Sequence, residues 1–259
     1  MTVRHALLCV EGPTDQAVVG RALALLGFRA LPRKDSVSKL DPFWAQLKPT
    51  WPKDGDLYAR LDMPSILSSA ACSVAVYCGD GTSLRTKIPK AIHNHDPYRE
   101  ELDAFGIIAD ADANPPGKVA ASYQSYFRAP FPDFPDVPGR VVGERPKLGV
   151  FVLPDNASQG VVEHLVLECG NRVYPGHLER AKGYVDGFDP EERKREKWAP
   201  FDEQKALIAA VASVLKPGKT NTATLADNDW ISARTQDLPM LAALMRFLVE
   251  LLSLESAAA

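Results

Sequence analysis

Four short apolar runs recur along the first part of the chain, at residues 6–10, 73–77, 105–109 and 150–153. Their apolar residues are consecutive rather than alternating, which is the pattern of strands buried on both faces of a parallel sheet. A segment with apolar residues at helical spacing follows each run. These segments are 16–26, a stretch from Gly81 through Ile92, 119–127 and 161–168. Thr14 stands where an N-cap is expected, Asp15 suits the positive helix end, and Gly27 suits the C-terminal cap. Strands alternating with helices predict βαβ units, hence an α/β fold with a parallel sheet and helices on both faces.

Two Pro-rich stretches interrupt this rhythm. Pro32, Pro42, Pro49, Pro52 and Pro64, with Trp44 and Trp51 among them, predict an irregular insertion over about 30–70 with one short helix. The tryptophans there are expected to pack on the core. Pro130, Pro132, Pro135 and Pro138 read as a linker. Past Asn171 the strand pattern stops. A charged stretch, 190–197, reads as a solvated helix face, and 201–215 and 240–254 read as amphipathic helices. The division expected is an α/β domain over 1–175 and a helical region over 176–259 packed on it.

Composition narrows the class. A chain of 259 residues with 46% hydrophobic and 24% charged residues is ordinary for a soluble globular protein. The formal charge of −3 argues against a whole-chain basic footprint, but leaves room for a local basic groove. Cys9, Cys72, Cys78 and Cys169 form no C-x-x-C pair, so zinc is not signalled, and free thiols suit a reducing cytoplasm. The N-terminus becomes charged too soon for a signal peptide. Arg246 and Glu250 interrupt the most apolar stretch, so no membrane span is expected.

The candidate chemistry is positional. Glu11, Asp110, Asp112 and Asp155 each lie just after a predicted strand. In a parallel sheet those ends share one edge, the edge at which open α/β sheets bind ligands. Carboxylates gathered there cannot all ionise cheaply without a counter-charge. A divalent cation supplies one, and an all-oxygen site suits Mg²⁺ or Mn²⁺. Asp110-x-Asp112 puts two carboxylates on one turn, and Asp15 faces the same crevice if a helix starts near Thr14. Acidic residues after strands also serve as turn formers and caps, so that alternative stays open.

Val10-Glu11-Gly12-Pro13-Thr14-Asp15 resembles the first motif of Toprim domains, and Ile108-Ala109-Asp110-Ala111-Asp112 resembles their DxD motif. Residues 79–84 before that strand, and 152–156 with Gly160 and Glu163 after it, are similar to an uncharacterised bacterial and archaeal Toprim-like family near the overcoming-lysogenization-defect (OLD) nucleases. The resemblance covers roughly residues 5–170. It implies a Rossmann-like Toprim sheet, Glu11 as general acid/base or metal ligand, and Asp110 and Asp112 as Mg²⁺ ligands. It also implies Asp15 as a further ligand, and Asp155 and Glu163 as weaker candidates for a second metal. Two-metal phosphodiester cleavage is the chemistry such a site performs. OLD nucleases carry an ATPase domain, whereas this sequence has no ATPase motif, so any ATPase would be a separate partner.

Other residues add less. Gly79 and Gly81 in Gly79-Asp-Gly-Thr-Ser83 suit phosphate binding at a helix start, or equally a capped tight turn. Lys118, Lys205, Lys216 and Lys219 are possible phosphate contacts. Arg85, Lys87 and Lys90 line either a backbone-binding groove or a solvated helix face, the latter preferred. His93, His95 and His164 read as loop or packed histidines. The leading expectation is a Mg²⁺-dependent, nuclease-like enzyme on nucleic acid. The alternatives are a metal-binding regulatory partner without turnover and a receiver-like phosphoacceptor domain.

Overall fold

The apolar runs are strands of one sheet in a computed structural model, which describes residues 3–31, 40–47, 64–79, 81–94 and 96–254. Trp51, Asp80, His95 and most of the predicted insertion lie outside the described residues. In chain order the elements are β1 (Arg4–Val10), α1 (Pro13–Leu25), β2 (Arg29–Ala30), a 3₁₀ turn (Pro42–Leu47), β3 (Ser65–Ser68), β4 (Cys72–Cys78), α2 (Gly81–His93), α3 (Asp96–Glu100), β5 (Ala104–Asp110), α4 (Pro116–Phe127), β6 (Val141–Val142), β7 (Lys147–Leu153), α5 (Val162–Val173), α6 (Pro175–Asp186), α7 (Pro190–Arg195), α8 (Asp202–Leu215), α9 (Asn221–Asp227) and α10 (Pro239–Leu251).

The sheet order is β2-β3-β4-β1-β5-β7-β6. The four central strands are parallel, with Val10 level with Cys78 and Ile108, and Asp110 level with Leu153. The outer strands are not what the pattern predicts. β3 runs antiparallel to β4, and β6 antiparallel to β7. Ser65-Ile-Leu-Ser68 is too short and too polar at its ends to read as a strand, so it was absorbed into the expected insertion.

Side chains alternate between two buried layers. Ala6, Leu8 and Val10 face one layer, built with α1, α5, α8, α9 and α10. Leu7 and Cys9 face the other, built with α2 and α4. The C-terminal helices therefore complete one face of the sheet. A Gly–Gly pair makes room for the last of them. Gly106 and Gly149 sit side by side on β5 and β7. A Cβ on Gly106 would lie 2.6 Å from Leu251 Cδ2, and one on Gly149 would lie 2.7 Å from Phe247 Cε2. α10 beds into that gap.

The stretch after α4 is a plug rather than a linker. Phe131 and Phe134 are buried, and Phe105 packs on Phe127 and Phe131 with ring centroids 5.0 and 5.1 Å apart. Burying each such ring contributes about 2 kcal/mol, and the chain turns between them, the Phe134 N–H donating to the Phe131 carbonyl at 3.0 Å. Trp44 is fully buried, as expected, and its indole N–H donates to Ser73 Oγ at 2.9 Å. All four cysteines are buried free thiols. Among the described residues no helix is long and apolar enough to cross a membrane.

Candidate metal centre

The strand ends do meet. Glu11 follows β1, Asp110 closes β5, and Gly79 continues the β4–β1 pairing by donating to the Val10 carbonyl at 3.0 Å. Three helices begin at this edge, α1 after Glu11, α2 at Gly81 and α5 at Val162. Their N-termini turn positive ends toward the carboxylates.

The cap of α1 differs from the expectation. Gly12 is the N-cap, and Thr14 lies within the first turn. The glycine has no side chain to satisfy the turn, so Asp15 reaches back and its carboxylate accepts the Gly12 N–H at 2.8 Å. That contact takes Asp15 to 3% exposure. At the other end Gly27 is left-handed, with φ +88°, as expected.

Asp110 Oδ1 accepts the Val162 N–H of α5 at 2.8 Å, so a strand end caps a helix 52 residues later. Asp112 stands just beyond, exposed, with φ +51°. Its N–H donates to the Gly160 carbonyl at 2.8 Å and its carbonyl accepts the Gly160 N–H at 2.9 Å. Gly160 is required here. Its φ is +141°, and a Cβ would stand 2.8 Å from His164 Nδ1. That histidine accepts the Val161 N–H at 3.1 Å and sets its ring edge-on to Phe201. It is a capping and packing group.

Glu11 is held from the side of α2 and α4. The Tyr123 hydroxyl donates to Oε1 at 2.5 Å, and Arg85 Nη2 lies 3.8 Å from the same oxygen. A Cβ on Gly81 would be 3.9 Å from it.

Electrostatics single out these groups. Burial pushes the Asp110 carboxyl well above the usual carboxylate range, and repulsion from Asp15, Glu11 and Glu163 adds to it. Burial likewise raises Asp15, against the pull of the Gly12 N–H and with repulsion from Glu11 and Glu163. Glu11 is raised by burial, with Tyr123 and Arg85 pulling the other way and Asp112 reinforcing it. Glu163 is raised by burial, partly offset by its own backbone N–H, Lys205 and His164. Glu11, Asp15, Asp110 and Glu163 therefore lie near one another and poorly solvated at the strand ends, with Arg85 beside Glu11 and Lys205, itself paired with Asp202, acting on Glu163.

Asp155 does not join them. Partial burial opposes its ionisation, but the Ser158 and Ala157 N–H groups and the Ser158 hydroxyl outweigh that and hold its carboxyl below the usual range. Those contacts, at 2.7, 3.0 and 3.0 Å, form a turn within its own loop. Its place after a strand reflects turn formation, the alternative that position alone left open. Gly79 packs tightly, since a Cβ there would lie 3.1 Å from Leu84 Cδ2 and 3.2 Å from Tyr77 Cε1. Gly81 opens α2. Lys118 is exposed in the first turn of α4. Tyr123 went unrecognised, because in sequence it is one apolar-face residue of a helix.

Among the described residues no three His, Cys, Asp or Glu side chains stand as a preformed cage around an ion.

Over residues 5–253 the sequence matches the family described as "Protein of unknown function (DUF3226)". The chain belongs to that family. Comparison with curated proteins gives no match. Among solved structures, this DUF3226 chain is similar to one described as "Crystal structure of hypothetical protein PH0156 from Pyrococcus horikoshii OT3". The TM-score is 0.54 at 18% identity, over 97% of this chain and 98% of that one. At that identity the likeness shows the fold: the same α/β architecture extends over nearly the whole chain, C-terminal helices included.

Proposed function

We propose that this protein is a Mg²⁺-dependent (or Mn²⁺-dependent) enzyme acting on nucleic-acid phosphodiesters, nuclease-like, through a Toprim-type acidic site. The observation that supports the reading is geometric: Glu11 and Asp110 follow neighbouring parallel strands to the ligand-binding edge of the sheet, with Asp15 and Glu163 buried beside them. Ionising such closely placed, poorly solvated carboxyl groups is costly, and a divalent cation would offset that cost. Asp110, Asp112 and Glu11 would hold the cation, with Asp15 and Glu163 behind them. Bound there, it would lower the pKa of a coordinated water and neutralise charge on the leaving oxygen.

The chain's own residues have separate tasks in this reading. Glu11, fixed by Tyr123, is the group placed to accept a proton from an attacking water or return one to the leaving oxygen. The N–H groups at the starts of α2 and α5 favour negative charge at the edge. Cleavage of single- and double-stranded DNA and RNA by the purified protein in Mn²⁺, lost in Glu11→Gln with circular dichroism unchanged, is the expected result. Turnover that persists in that variant contradicts the role given to Glu11.

A second reading, a metal-binding partner without turnover of its own, is favoured by a surface groove of about 330 Å³ between α6 and α8. Tyr184, Phe188, Trp198 and Ala210 line it, and Tyr184 is 66% exposed. Such apolar exposure suits a protein partner, for example a separate ATPase. A stable complex that gains cleavage which the isolated chain lacks would support that reading.

A further inference from the structure

Arg85 is the cation nearest the mouth of the acidic site, and its placement is specific. The guanidinium lies over the Tyr123 ring, 5.6 Å from the centroid, and that same tyrosine donates to Glu11. Its Nη2 stands 3.8 Å from Glu11 Oε1, too far for a tight charge-assisted bond. The side chain is 44% exposed. An arginine placed only to neutralise Glu11 would close to about 2.8 Å and lie buried against it. This one is held by an aromatic face, points its fork at the site and keeps donors open to solvent. Arginine matches phosphate oxygens bidentately and keeps its charge at any working pH.

We propose that Arg85 is the phosphate-anchoring residue of this site, and that Tyr123 is the positioning residue that holds Arg85 and Glu11 in register. This inference rests on the phosphodiester reading above. The opposing charges divide the labour. The carboxylates would hold a cation, and Arg85, set to one side on α2, takes a non-bridging oxygen of the phosphate. A positive charge so close to the carboxylates repels the cation, so removal of Arg85 has opposite effects on the two ligands. A purely structural arginine would not separate them.

The experiment uses the full chain as wild type, Arg85→Gln, Arg85→Lys and Tyr123→Phe. Calorimetry reads the affinity for Mn²⁺ alone. Fluorescence anisotropy reads a labelled single-stranded oligothymidylate, and its oligouridylate counterpart, in Ca²⁺ over a range of salt. Arg85→Gln is expected to bind Mn²⁺ as tightly as wild type or more tightly, while oligonucleotide affinity falls about tenfold and the salt slope drops by about one. Arg85→Lys restores the slope but only part of the affinity, because the fork is lost. Tyr123→Phe keeps the ring beneath Arg85 and therefore the slope, and loses only part of the oligonucleotide affinity, because the hydroxyl no longer fixes Glu11 beside the guanidinium. Parallel loss of both ligands in Arg85→Gln, unchanged oligonucleotide binding, or no oligonucleotide binding by wild type overturns the inference. Arg85-dependent oligonucleotide binding by a wild type that takes no Mn²⁺ upholds it, while contradicting the metal reading.

Discussion

Replacing Asp110 by asparagine should stabilise the metal-free protein at alkaline pH, against the usual rule that altering a partly buried, hydrogen-bonded side chain destabilises. Asparagine keeps the shape and the acceptor for the Val162 N–H, which bonds Oδ1 at 2.8 Å. Its amide N–H groups would face carboxylates that now repel Asp110. An unfolded aspartate titrates near about 3.9, and each unit by which folding raises that value forfeits about 1.4 kcal/mol once the pH passes the folded value. Burial and the neighbouring carboxyl groups raise the Asp110 carboxyl, so this loss accumulates as pH climbs above the unfolded value. The sign follows from proton uptake. A carboxyl raised by folding binds its proton more tightly in the folded state, so stability is full below the unfolded pKa and falls as pH rises to the folded one. Urea unfolding followed by circular dichroism, with a chelator present, reads this directly. Asp110→Asn should exceed wild type by more than about 1 kcal/mol near about pH 8, and the gap should close near about pH 4. A variant less stable than wild type at about pH 8, or a gap that persists in acid, would show that the charge at Asp110 is already compensated and refute the electrostatic reasoning.

Three other outcomes follow from the geometry. Gly149→Ala should cost about 1–3 kcal/mol in denaturant unfolding by pushing Phe247 and α10 off the sheet, with Mn²⁺ affinity unchanged, because its Cβ would meet the Phe247 ring at 2.7 Å. Asp155→Ala should lower stability by about 1 kcal/mol through loss of the turn contacts to Ser158 and Ala157, again with Mn²⁺ affinity intact. A large loss of Mn²⁺ binding in Asp155→Ala would restore it as a ligand. Trp44→Phe should destabilise by about 1–3 kcal/mol in thermal or urea unfolding, since it leaves a gap and strips Ser73 Oγ of its donor at 2.9 Å.

The parallel core of the sheet was legible in the sequence because its strands are continuous apolar runs with little else to be. The antiparallel edges were not. β3 is four residues with a serine at each end, and β2 and β6 are two residues each, too short for any periodicity to register. The Pro-rich stretch after α4 misled for a different reason. Proline signals a break in regular structure, but here the phenylalanines between the prolines decide where the chain lies, and they are buried. At the candidate site the strand-end rule brought Glu11 and Asp110 to one edge, and Asp15 followed from helix geometry. The rule could not tell Asp110, turned toward α5 and its neighbours, from Asp155, turned into its own loop, because both follow a strand by the same logic. Tyr123 carries no mark in sequence, and Arg85 stood out only as one of three basic residues read as a groove or, by preference, a solvated helix face, since their roles depend on how α4 and α2 pack across the strand ends.

The central claim is that the buried carboxyl group at the sheet edge binds a divalent cation. Titration calorimetry with Mn²⁺ and Mg²⁺, on wild type and on the double variant Asp110→Ala/Asp112→Ala, tests it most directly, with circular dichroism to establish that both are folded. The account predicts saturable binding by wild type, with protons released as the raised carboxyl groups ionise, and no binding by the variant. A folded wild type that takes up neither ion, or a double variant that binds as well as wild type, would contradict it.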